Sequence, residues 1–233
     1  AHNRVFVFGL GPSISLVDLL QIRLTRVGKQ VVPLATSGQE ILEPMLLMGE
    51  NDLLIAIGFF NLTTTMQLVL DYADVIQIGA KAMYDHGILR ACGRSQKPIL
   101  IKRGFGTTLQ EFVQAAEFVL SGGNPNVMLC ERGIRTFETK SRFTLDLCGV
   151  AYLKENTNLP VILDPSHAMG YAYGVPDLAR ACMAMGVDGL LIEVHPNPAV
   201  AKSDASQQLN HETFRNLFES LKPIAAAVGR TIV

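Results

Sequence analysis

The sequence predicts an α/β fold arranged as a (β/α)8 barrel. Short β-branched runs alternate with amphipathic stretches of helical period, and strands and helices never separate into blocks. The 233 residues accommodate eight such units, and about 250 residues is typical of this barrel. No linker rich in proline or serine interrupts the series. We therefore expect residues 1–233 to form a single barrel.

The expected strands are short apolar runs rich in β-branched residues. In chain order they are Arg4 to Gly9, Gln30 to Ala35, Asp52 to Gly58, Asp74 to Gly79, Pro98 to Lys102, Asn126 to Glu131, Leu159 to Asp164, and Asp188 to Val194. A helix is expected after each strand, and the last helix is expected to end near Ala227. This strict alternation is typical of parallel strands joined by crossover helices.

Composition limits the classes of partner. The 20 basic and 21 acidic residues nearly cancel, and no lysine- or arginine-rich run occurs, so nucleic acid is not an expected partner. The apolar runs are shorter than the roughly 20 residues that a membrane span needs, and the first residues do not resemble a signal peptide. We expect no membrane association and a cytoplasmic location. The four cysteines lack CxxC spacing, so we expect buried, reduced thiols.

Polar residues gather at the expected carboxyl ends of strands five to eight. They are Lys102, Arg103, Glu131, Arg132, Asp164, His167, Glu193 and His195. The carboxyl ends of the strands form the catalytic face of a barrel. Charged groups there are costly to desolvate unless they are paired or meet a ligand. A structural ion pair would explain any one of them, but four successive strands that end this way favour a functional site.

The chemistry of these residues separates two sub-sites. Lys102, Arg132 and Arg135 supply positive charge and forked donors that suit phosphate or carboxylate. His167 and Glu193, together with Asp204, supply one nitrogen and two oxygen ligands. This donor set suits a borderline divalent ion such as manganese, cobalt, iron or zinc.

Six segments in order carry a resemblance to a known family. They are "DVIQIGA", "KPILIKRGFGTTLQEF", "NVMLCERGIRTFE", "LPVILDPSHAMG", "DGLLIEVHPNP" and "AKSDASQQL". These segments resemble the strand ends of 3-deoxy-7-phosphoheptulonate (DAHP) synthases of the shikimate pathway, in their short, barrel-only form. Sister enzymes that make the eight-carbon sugar acid of lipopolysaccharide share the architecture. The resemblance covers Asp74 to about Leu221, roughly two thirds of the chain.

The resemblance implies a metal-dependent condensation of phosphoenolpyruvate with erythrose 4-phosphate, an aldol-type transfer. It implies that Lys102 and Asp164 are catalytic, that Lys102 and Arg132 hold phosphoenolpyruvate, and that Asp164 lines the aldehyde pocket. It implies metal binding by His167, Glu193 and Asp204. The expected anion-binding residues are Lys81, Lys102, Arg103, Arg132 and Arg135. We expect phosphate or sulfate to bind there as well.

The first third of the chain departs from that family. The family's Gly-Pro-Cys, whose cysteine is a fourth metal ligand, and its Lys-Pro-Arg-Thr-Ser segment are missing, and Lys81 stands where the family has arginine. Residues 4 to about 70 instead resemble the start of a sugar isomerase (SIS) domain. In that resemblance Gly9, Gly11 and Ser13 form a phosphate-binding turn, and Ser13 caps the following helix.

These two resemblances predict a chimera, and recombination by design is the expected origin. Residues 1–70 would supply three units of a doubly wound SIS fold, and residues 71–233 would supply five units of a DAHP synthase barrel. A doubly wound sheet runs 2-1-3, whereas a barrel runs 1-2-3. Strands four to eight are apolar enough to need cover on both faces, so we expect a closed barrel. An open, doubly wound N-terminal sheet joined to a partial barrel is the alternative.

Two classes of function stay open at this point. The first is a scaffold that keeps part of the phosphoenolpyruvate and metal sites without efficient turnover. The losses in the first third favour it, because each lost contact to a charged substrate costs about 1.5 to 3 kcal/mol and the missing cysteine weakens metal binding. The second is an active synthase. Sugar-phosphate binding at the SIS-like turn is a further alternative, and the oligomeric state stays open.

Overall fold

The structure, a computed structural model, describes residues 4–9, 13–36, 38–57 and 73–232. The strands within these ranges are β1 (Arg4–Gly9), β2 (Gln30–Leu34), β3 (Leu53–Ile57), β4 (Ile76–Ile78), β5 (Ile99–Lys102), β6 (Val127–Glu131), β7 (Val161–Leu163) and β8 (Gly189–Leu190). All eight expected strands are confirmed, although β8 is shorter than expected. Val194, the expected last residue of that strand, instead pairs with Leu209 in an isolated parallel bridge.

Helices follow the strands as predicted. They are α1 (Ile14–Arg26), α2 (Leu42–Met45), α3 (His86–Arg94), α4 (Leu109–Ser121), α5 (Leu147–Asn156), α6 (Pro165–Met169), α7 (Val175–Ala184) and α8 (His211–Ala227). The last helix ends at the predicted residue. The helix expected after β3 falls on residues 58–72, outside the described residues. None of the described helices combines the length and apolar character that crossing a bilayer demands.

The first three strands form a parallel sheet in the order β2-β1-β3. Alternate side chains of β1 point to opposite faces. Phe6 and Phe8 pack with residues of α2 on one face, whereas Val5 and Val7 pack with α1 on the other. Helices on both faces are typical of a doubly wound sheet. The order 1-2-3 that a regular barrel requires is therefore wrong for these strands, and the doubly wound alternative has the order observed.

The burial of β1 explains this order. Residues Val5 to Phe8 are all buried, so both faces of the strand are apolar. A parallel strand with two apolar faces is stable only when both faces are covered. The centre of the sheet, with a helix on each side, supplies that cover. This cover explains why β1, and not β2, lies in the middle of the three strands.

The other five strands form a sheet in chain order, β4-β5-β6-β7-β8, as neighbouring strands of a barrel do. β6, β7 and β8 are parallel, and Glu131 at the end of β6 is level with Leu163 of β7. Backbone bonds continue past the strand ends, from Asp164 N–H to Glu131 O at 2.8 Å and from Arg103 N–H to Cys130 O at 2.9 Å. The polar residues after these strands therefore lie at one edge of the sheet.

The chain divides into two compact units. The first comprises Ala1–Ile76, Tyr84–Ile99 and Val119–Asn126. The second comprises Gln77–Met83, Leu100–Phe118 and Val127–Val233. The polar residues at the ends of β5 to β8 all belong to the second unit, so the candidate site can be described within it.

Capping residues show where the local sequence determines the first residue of a helix. Asp85, Asp146, Asp164 and Asn210 each precede a helix and accept a hydrogen bond from a backbone N–H of its first turn. Ser13 is different, because it has helical φ and ψ and its side chain makes no cap bond. The expectation that Ser13 caps α1 is therefore wrong.

The cysteines are reduced, as expected, and three of them are buried. Burial raises the pKa of Cys130 and of Cys182 to about 12, and that of Cys92 to about 11. Cys148 is exposed, so the expectation of burial is wrong for this residue. It lies on α5, directly after the capping Asp146 and Leu147.

Candidate active site

Lys102, Asp164 and His167 form a chain of close contacts after β5 and β7. Lys102 Nζ donates to Asp164 Oδ2 at 2.6 Å, and the same oxygen lies 2.7 Å from His167 Nδ1. Asp164 is fully buried, and Lys102 is only 6% exposed. Removing charges from water is costly, so a buried pair persists only with such close geometry. Asp164 thus connects the predicted anion-binding lysine to a predicted metal ligand.

The turn after β7 places these groups. Asp164 caps α6, and its Oδ1 accepts the backbone N–H of His167 at 2.9 Å. Pro165 follows at the first helical position, where its missing N–H costs nothing. Ser166 Oγ accepts the backbone N–H of Glu193 at 3.0 Å, which ties the turn to the segment after β8. This one turn therefore positions Asp164 and His167, and it also holds the backbone N–H of Glu193.

The protonation state of Asp164 follows from its partners. Burial alone would raise the pKa of Asp164, but the hydrogen bond from His167 and the charge of Lys102 hold that pKa below its ordinary value. Asp164 is therefore an anion at neutral pH. An anion beside Nδ1 favours a proton on that nitrogen, which leaves Nε2 of His167 as the candidate ligand atom.

His167, Glu193 and Asp204 place their ligand atoms within 4.8 Å of one another. His167 Nε2 lies 3.5 Å from Glu193 Oε1. Asp204 has a φ of 48°, in the left-handed region that residues other than glycine rarely adopt and that often marks functional sites. Burial raises the pKa of Glu193, and the neighbouring His167 opposes that rise. One imidazole and two carboxylates are ligands that fit a borderline divalent ion.

Two further residues hold the carboxylates of this cluster. Gln207 Nε2 donates to Glu193 Oε2 at 2.5 Å. Arg142 Nη1 donates to Asp204 Oδ1 at 2.6 Å and to Gln207 Oε1 at 2.8 Å. Neither residue was among the predicted site residues. Gln207 stands in the quoted segment "AKSDASQQL", but its type and spacing alone give no sign of a role beside a metal site.

Arg132 is buried and forms no ion pair with a carboxylate of the described residues. It is 4% exposed, and its Nε and Nη1 atoms have no hydrogen-bond partner among the described residues. Its guanidinium carbon lies 4.5 Å from the ring centre of Phe143 and 5.3 Å from that of Phe105. Burial lowers the pKa of Arg132. A buried guanidinium with unused donors is costly unless an anion completes it. The unused donors of Arg132 could therefore receive the oxygens of an anion.

Arg103 differs from Arg132 in having two carboxylate partners, although its Nε also has no hydrogen-bond partner among the described residues. Its Nη1 donates to Glu131 Oε2 and to Asp146 Oδ2, both at 2.9 Å, and its Nη2 donates to Thr107 O at 2.9 Å. Glu131 Oε1 in turn accepts the backbone N–H of Gly133 at 2.7 Å. The structure places Arg103 in an internal network that holds the loop after Arg132, and its predicted contact with substrate stays a prediction.

A family profile described as "DAHP synthetase I family" matches residues 24–227. The chain belongs to this family. Among curated relatives, a phospho-2-dehydro-3-deoxyheptonate aldolase of Thermotoga maritima is 44% identical over 161 residues, which are 69% of this chain and 48% of that protein. A 2-dehydro-3-deoxyphosphooctonate aldolase of Bordetella petrii is 32% identical over 176 residues, covering 68% of this chain and 61% of the relative.

The fold agrees with this membership of the DAHP synthetase I family. A solved truncated form of 3-deoxy-D-arabino-heptulosonate 7-phosphate synthase from Thermotoga maritima aligns with a TM-score of 0.72 and 33% identity, over 100% of this chain and 89% of that chain. The chain spans about half to three fifths of the length of the curated relatives described above. The predicted resemblance to DAHP synthases is thus confirmed at the level of family and fold.

Two of the predicted anion-binding residues lie at the protein surface. Lys81 and Arg135 are exposed. The backbone N–H of Arg135 donates to Phe105 O at 2.7 Å, so its backbone joins the loop beneath Arg132. Their anion-binding roles stay predictions. Sequence reasoning missed Phe105 and Phe143, since stacking on a guanidinium leaves no periodic pattern.

The predicted phosphate turn is only partly described. Gly11 lies outside the described residues. A Cβ at Gly9 would come within 2.7 Å of Val17 Cγ2, so close packing of α1 against β1 requires glycine there. Ser13 is 1% exposed, and its hydroxyl has no partner among the described residues. Phosphate binding at this turn stays a prediction, while glycine at position 9 has a packing reason of its own.

Proposed function

We propose that the chain is a DAHP synthase that condenses phosphoenolpyruvate with erythrose 4-phosphate, consuming one water molecule and releasing inorganic phosphate. The observation that carries the proposal is the buried guanidinium of Arg132, whose unused donors lie in the same compact unit as the Lys102–Asp164–His167 chain and the metal-ligand cluster. Anion donors that share a compact unit with a buried Lys–Asp–His contact chain and a metal-ligand cluster suit a phosphorylated enol substrate. The names of the relatives support the same class of reaction.

The metal-ligand cluster would hold the divalent ion. His167 would ligate through Nε2, and Glu193 and Asp204 through carboxylate oxygens, since these atoms already lie within 4.8 Å of one another. When bound, such an ion supplies Lewis-acid polarisation of a carbonyl oxygen. The side chains favour no single one of manganese, cobalt, iron and zinc, because all four accept imidazole and carboxylate ligands.

The chain's own residues would bind and orient the substrates. Arg132 would receive phosphate or carboxylate oxygens through its Nε and Nη1 atoms, and the rings of Phe105 and Phe143 hold its plane in place. Lys102, whose Nζ lies 2.6 Å from Asp164 Oδ2, would supply a second positive charge. Asp164 also fixes His167, so one buried carboxylate would position groups for both sub-sites.

Release of phosphate tests the proposal. Purified chain with Mn²⁺, phosphoenolpyruvate and erythrose 4-phosphate should release phosphate only when both substrates are present. A Lys102→Met variant should lose this activity, whereas Lys140→Met, at an exposed lysine, should keep it. Phosphate release by the wild-type chain no faster than by Lys102→Met would instead support the scaffold, which binds anions or metal without turnover. The missing Gly-Pro-Cys and Lys-Pro-Arg-Thr-Ser segments are the reason to measure kcat as well as KM.

The length of the sugar is the second question. A seven-carbon product needs a four-carbon aldose phosphate beside the three-carbon enol, whereas an eight-carbon product needs a five-carbon one. The greater identity to the heptonate aldolase, 44% against 32%, favours the four-carbon substrate. A comparison of kcat/KM with the two aldose phosphates separates the reactions.

The origin of residues 1–70 as SIS-like units of an engineered chimera stays a proposal. The strand order β2-β1-β3 supports a doubly wound origin. The family match, which begins at residue 24, supports a common origin with the rest of the chain. Binding of a sugar phosphate at Gly9 and Ser13, measured without phosphoenolpyruvate, would favour the hypothesis that residues 1–70 derive from an SIS domain.

A further inference from the structure

Gln207 and Arg142 link the two carboxylates of the metal-ligand cluster. Gln207 Nε2 donates to Glu193 Oε2 at 2.5 Å, and its Oε1 accepts from Arg142 Nη1 at 2.8 Å. The same Nη1 donates to Asp204 Oδ1 at 2.6 Å. A continuous path of hydrogen bonds therefore runs from one carboxylate to the other through these two side chains, which we call the Gln207–Arg142 bridge.

The chemistry of the bridge fixes its direction. A guanidinium has only donors, so the side-chain oxygen of Gln207 must face Arg142. The amide nitrogen then faces Glu193, where a carboxylate oxygen can only accept. Gln207 is fully buried, so water does not compete at the amide. Each end of the glutamine has one suitable partner, and the amide cannot flip without leaving both bonds unmade.

The loop that carries Gln207 is held on both sides. Ser206 Oγ donates to Gly170 O at 2.8 Å, and the backbone N–H of Leu209 donates to Glu193 O at 2.9 Å. Between them the backbone N–H of Gln207 donates to Asp204 O at 3.2 Å, next to the left-handed φ of 48° at Asp204. The loop thus keeps an uncommon backbone conformation that aims Asp204 at the cluster.

We infer that Gln207, acting with Arg142, is a positioning residue for the metal centre. Two carboxylates near each other repel, and without donors they would turn apart before an ion arrives. The bridge engages Oε2 of Glu193 and Oδ1 of Asp204, and Glu193 Oε1 points to within 3.5 Å of His167 Nε2. This inference rests on the metal site of the proposed function. Outer partners of this kind typically change metal affinity by about 10- to 100-fold.

Mn²⁺ binding to the metal-free full chain, measured by calorimetry without substrates, tests the inference. Gln207→Met keeps the side-chain length and removes both bonds, and we expect Mn²⁺ affinity to fall by about 10- to 100-fold. Gln208→Met is the matched control, since Gln208 lies in the same loop but donates to Ser203 O at 2.9 Å, away from the carboxylates. We expect that variant to stay within about twofold of wild type.

Arg142→Lys supplies a second test at an exposed residue, where a substitution is less disruptive to folding than one at the buried Gln207. Arg142 has a 41% exposed side chain, and lysine keeps the positive charge while losing the fork. We expect weaker Mn²⁺ binding, and little further loss when it is combined with Gln207→Met, because both changes break one bridge. The visible spectrum of bound Co²⁺ should change in both variants, as it reports ligand geometry rather than fold.

The outcomes separate this inference from the proposed function. Unchanged Mn²⁺ affinity in Gln207→Met and Arg142→Lys would overturn the inference and leave the synthase proposal standing. Equal weakening in Gln207→Met and Gln208→Met would also overturn it, because the loop and not the bridge would then be responsible. A wild-type chain that binds no Mn²⁺ would refute the metal site and this inference together. Metal binding without phosphate release would refute the synthase proposal alone.

Discussion

Charged residues occupy opposite ends of the strands in the two sheets. In the N-terminal sheet Arg4 begins β1 and Asp52 precedes β3, and Arg4 Nη2 lies 2.5 Å from Asp52 Oδ2. In the five-stranded sheet Lys102 ends β5 and Asp164 follows β7. The amino ends of α/β strands serve stability, whereas the carboxyl ends serve ligands. Position along the strand therefore distinguishes two cation–carboxylate pairs of similar length, Arg4–Asp52 and Lys102–Asp164.

Asp52 and Arg132 also differ in how many of their polar atoms have hydrogen-bond partners. Asp52 accepts from the backbone N–H, Nε and Nη2 of Arg4 and from the backbone N–H of Gly49. Arg132, near the end of β6, has two nitrogen atoms without a partner among the described residues. A charge whose bonds are complete holds the fold together. A buried charge whose bonds are incomplete lowers stability, and a ligand can recover that loss.

The largest effect is expected from Asp164→Asn. The change leaves Lys102 buried without its anion, and breaking a buried pair in this way costs about 3 to 5 kcal/mol of unfolding free energy. Phosphate release should fall as well, because His167 loses the carboxylate beside Nδ1. Chemical denaturation and the phosphate assay measure the two effects.

Asp177→Asn is the control for Asp164→Asn, because Asp177 forms an exposed pair with Arg180 at 2.7 Å. Its effect on stability should stay below about 1 kcal/mol, and its activity should equal that of wild type. Wild-type stability in Asp164→Asn would contradict the central role of this carboxylate.

Arg132→Met should separate binding from stability. We expect inorganic phosphate binding and kcat/KM for phosphoenolpyruvate to fall by about 100-fold or more, as for the loss of a preorganised donor. The unfolding free energy should stay unchanged or rise, because an unpaired buried cation is replaced by an apolar side chain. Calorimetry with phosphate and a denaturation curve measure both quantities.

Arg90→Met, at an exposed position of α3, controls for the loss of an arginine and should leave both quantities unchanged. Weaker folding of Arg132→Met with unchanged phosphate affinity would mean that Arg132 is a structural residue.

Asp52→Asn should change stability alone, and in a defined pH window. The hydrogen bond from Arg4 holds the pKa of Asp52 at about 2, below the ordinary 3.8. A lowered pKa contributes stability above 3.8, and that contribution is lost as the pH falls from 3.8 towards 2. We expect Asp52→Asn to be less stable than wild type at neutral pH, with the difference shrinking through this window.

Urea unfolding between pH 2 and 5 measures the effect of Asp52→Asn, and phosphate release at neutral pH should be unaffected. A loss of activity in Asp52→Asn would contradict the comparison of the two sheets, because it would mean that the amino ends of the N-terminal strands contribute to catalysis.

The positions of the strands and the clustering of three candidate ligand residues could be predicted, because both depend on short-range patterns. All eight strands are found, and His167, Glu193 and Asp204 come together as expected, since parallel strands bring their ends to one edge. The order of the first three strands depends on which faces are covered, which no single strand specifies. The Gln207–Arg142 bridge joins residues 65 positions apart through their side chains, and such contacts have no signal in one sequence.

The smallest effect is expected at Ser13, in the turn that resembles an SIS domain. Its hydroxyl is buried without a described partner, so Ser13→Ala removes no bond and should change the unfolding free energy by less than about 0.5 kcal/mol. Ser166→Ala is the matched comparison, because that buried hydroxyl accepts from Glu193 N–H at 3.0 Å, and its loss should cost about 1 to 3 kcal/mol. Phosphate binding at Arg132 should not change in Ser13→Ala. Loss of a second phosphate-binding event in Ser13→Ala would show that the unpartnered hydroxyl binds an anion, and the N-terminal sheet would then carry a site of its own.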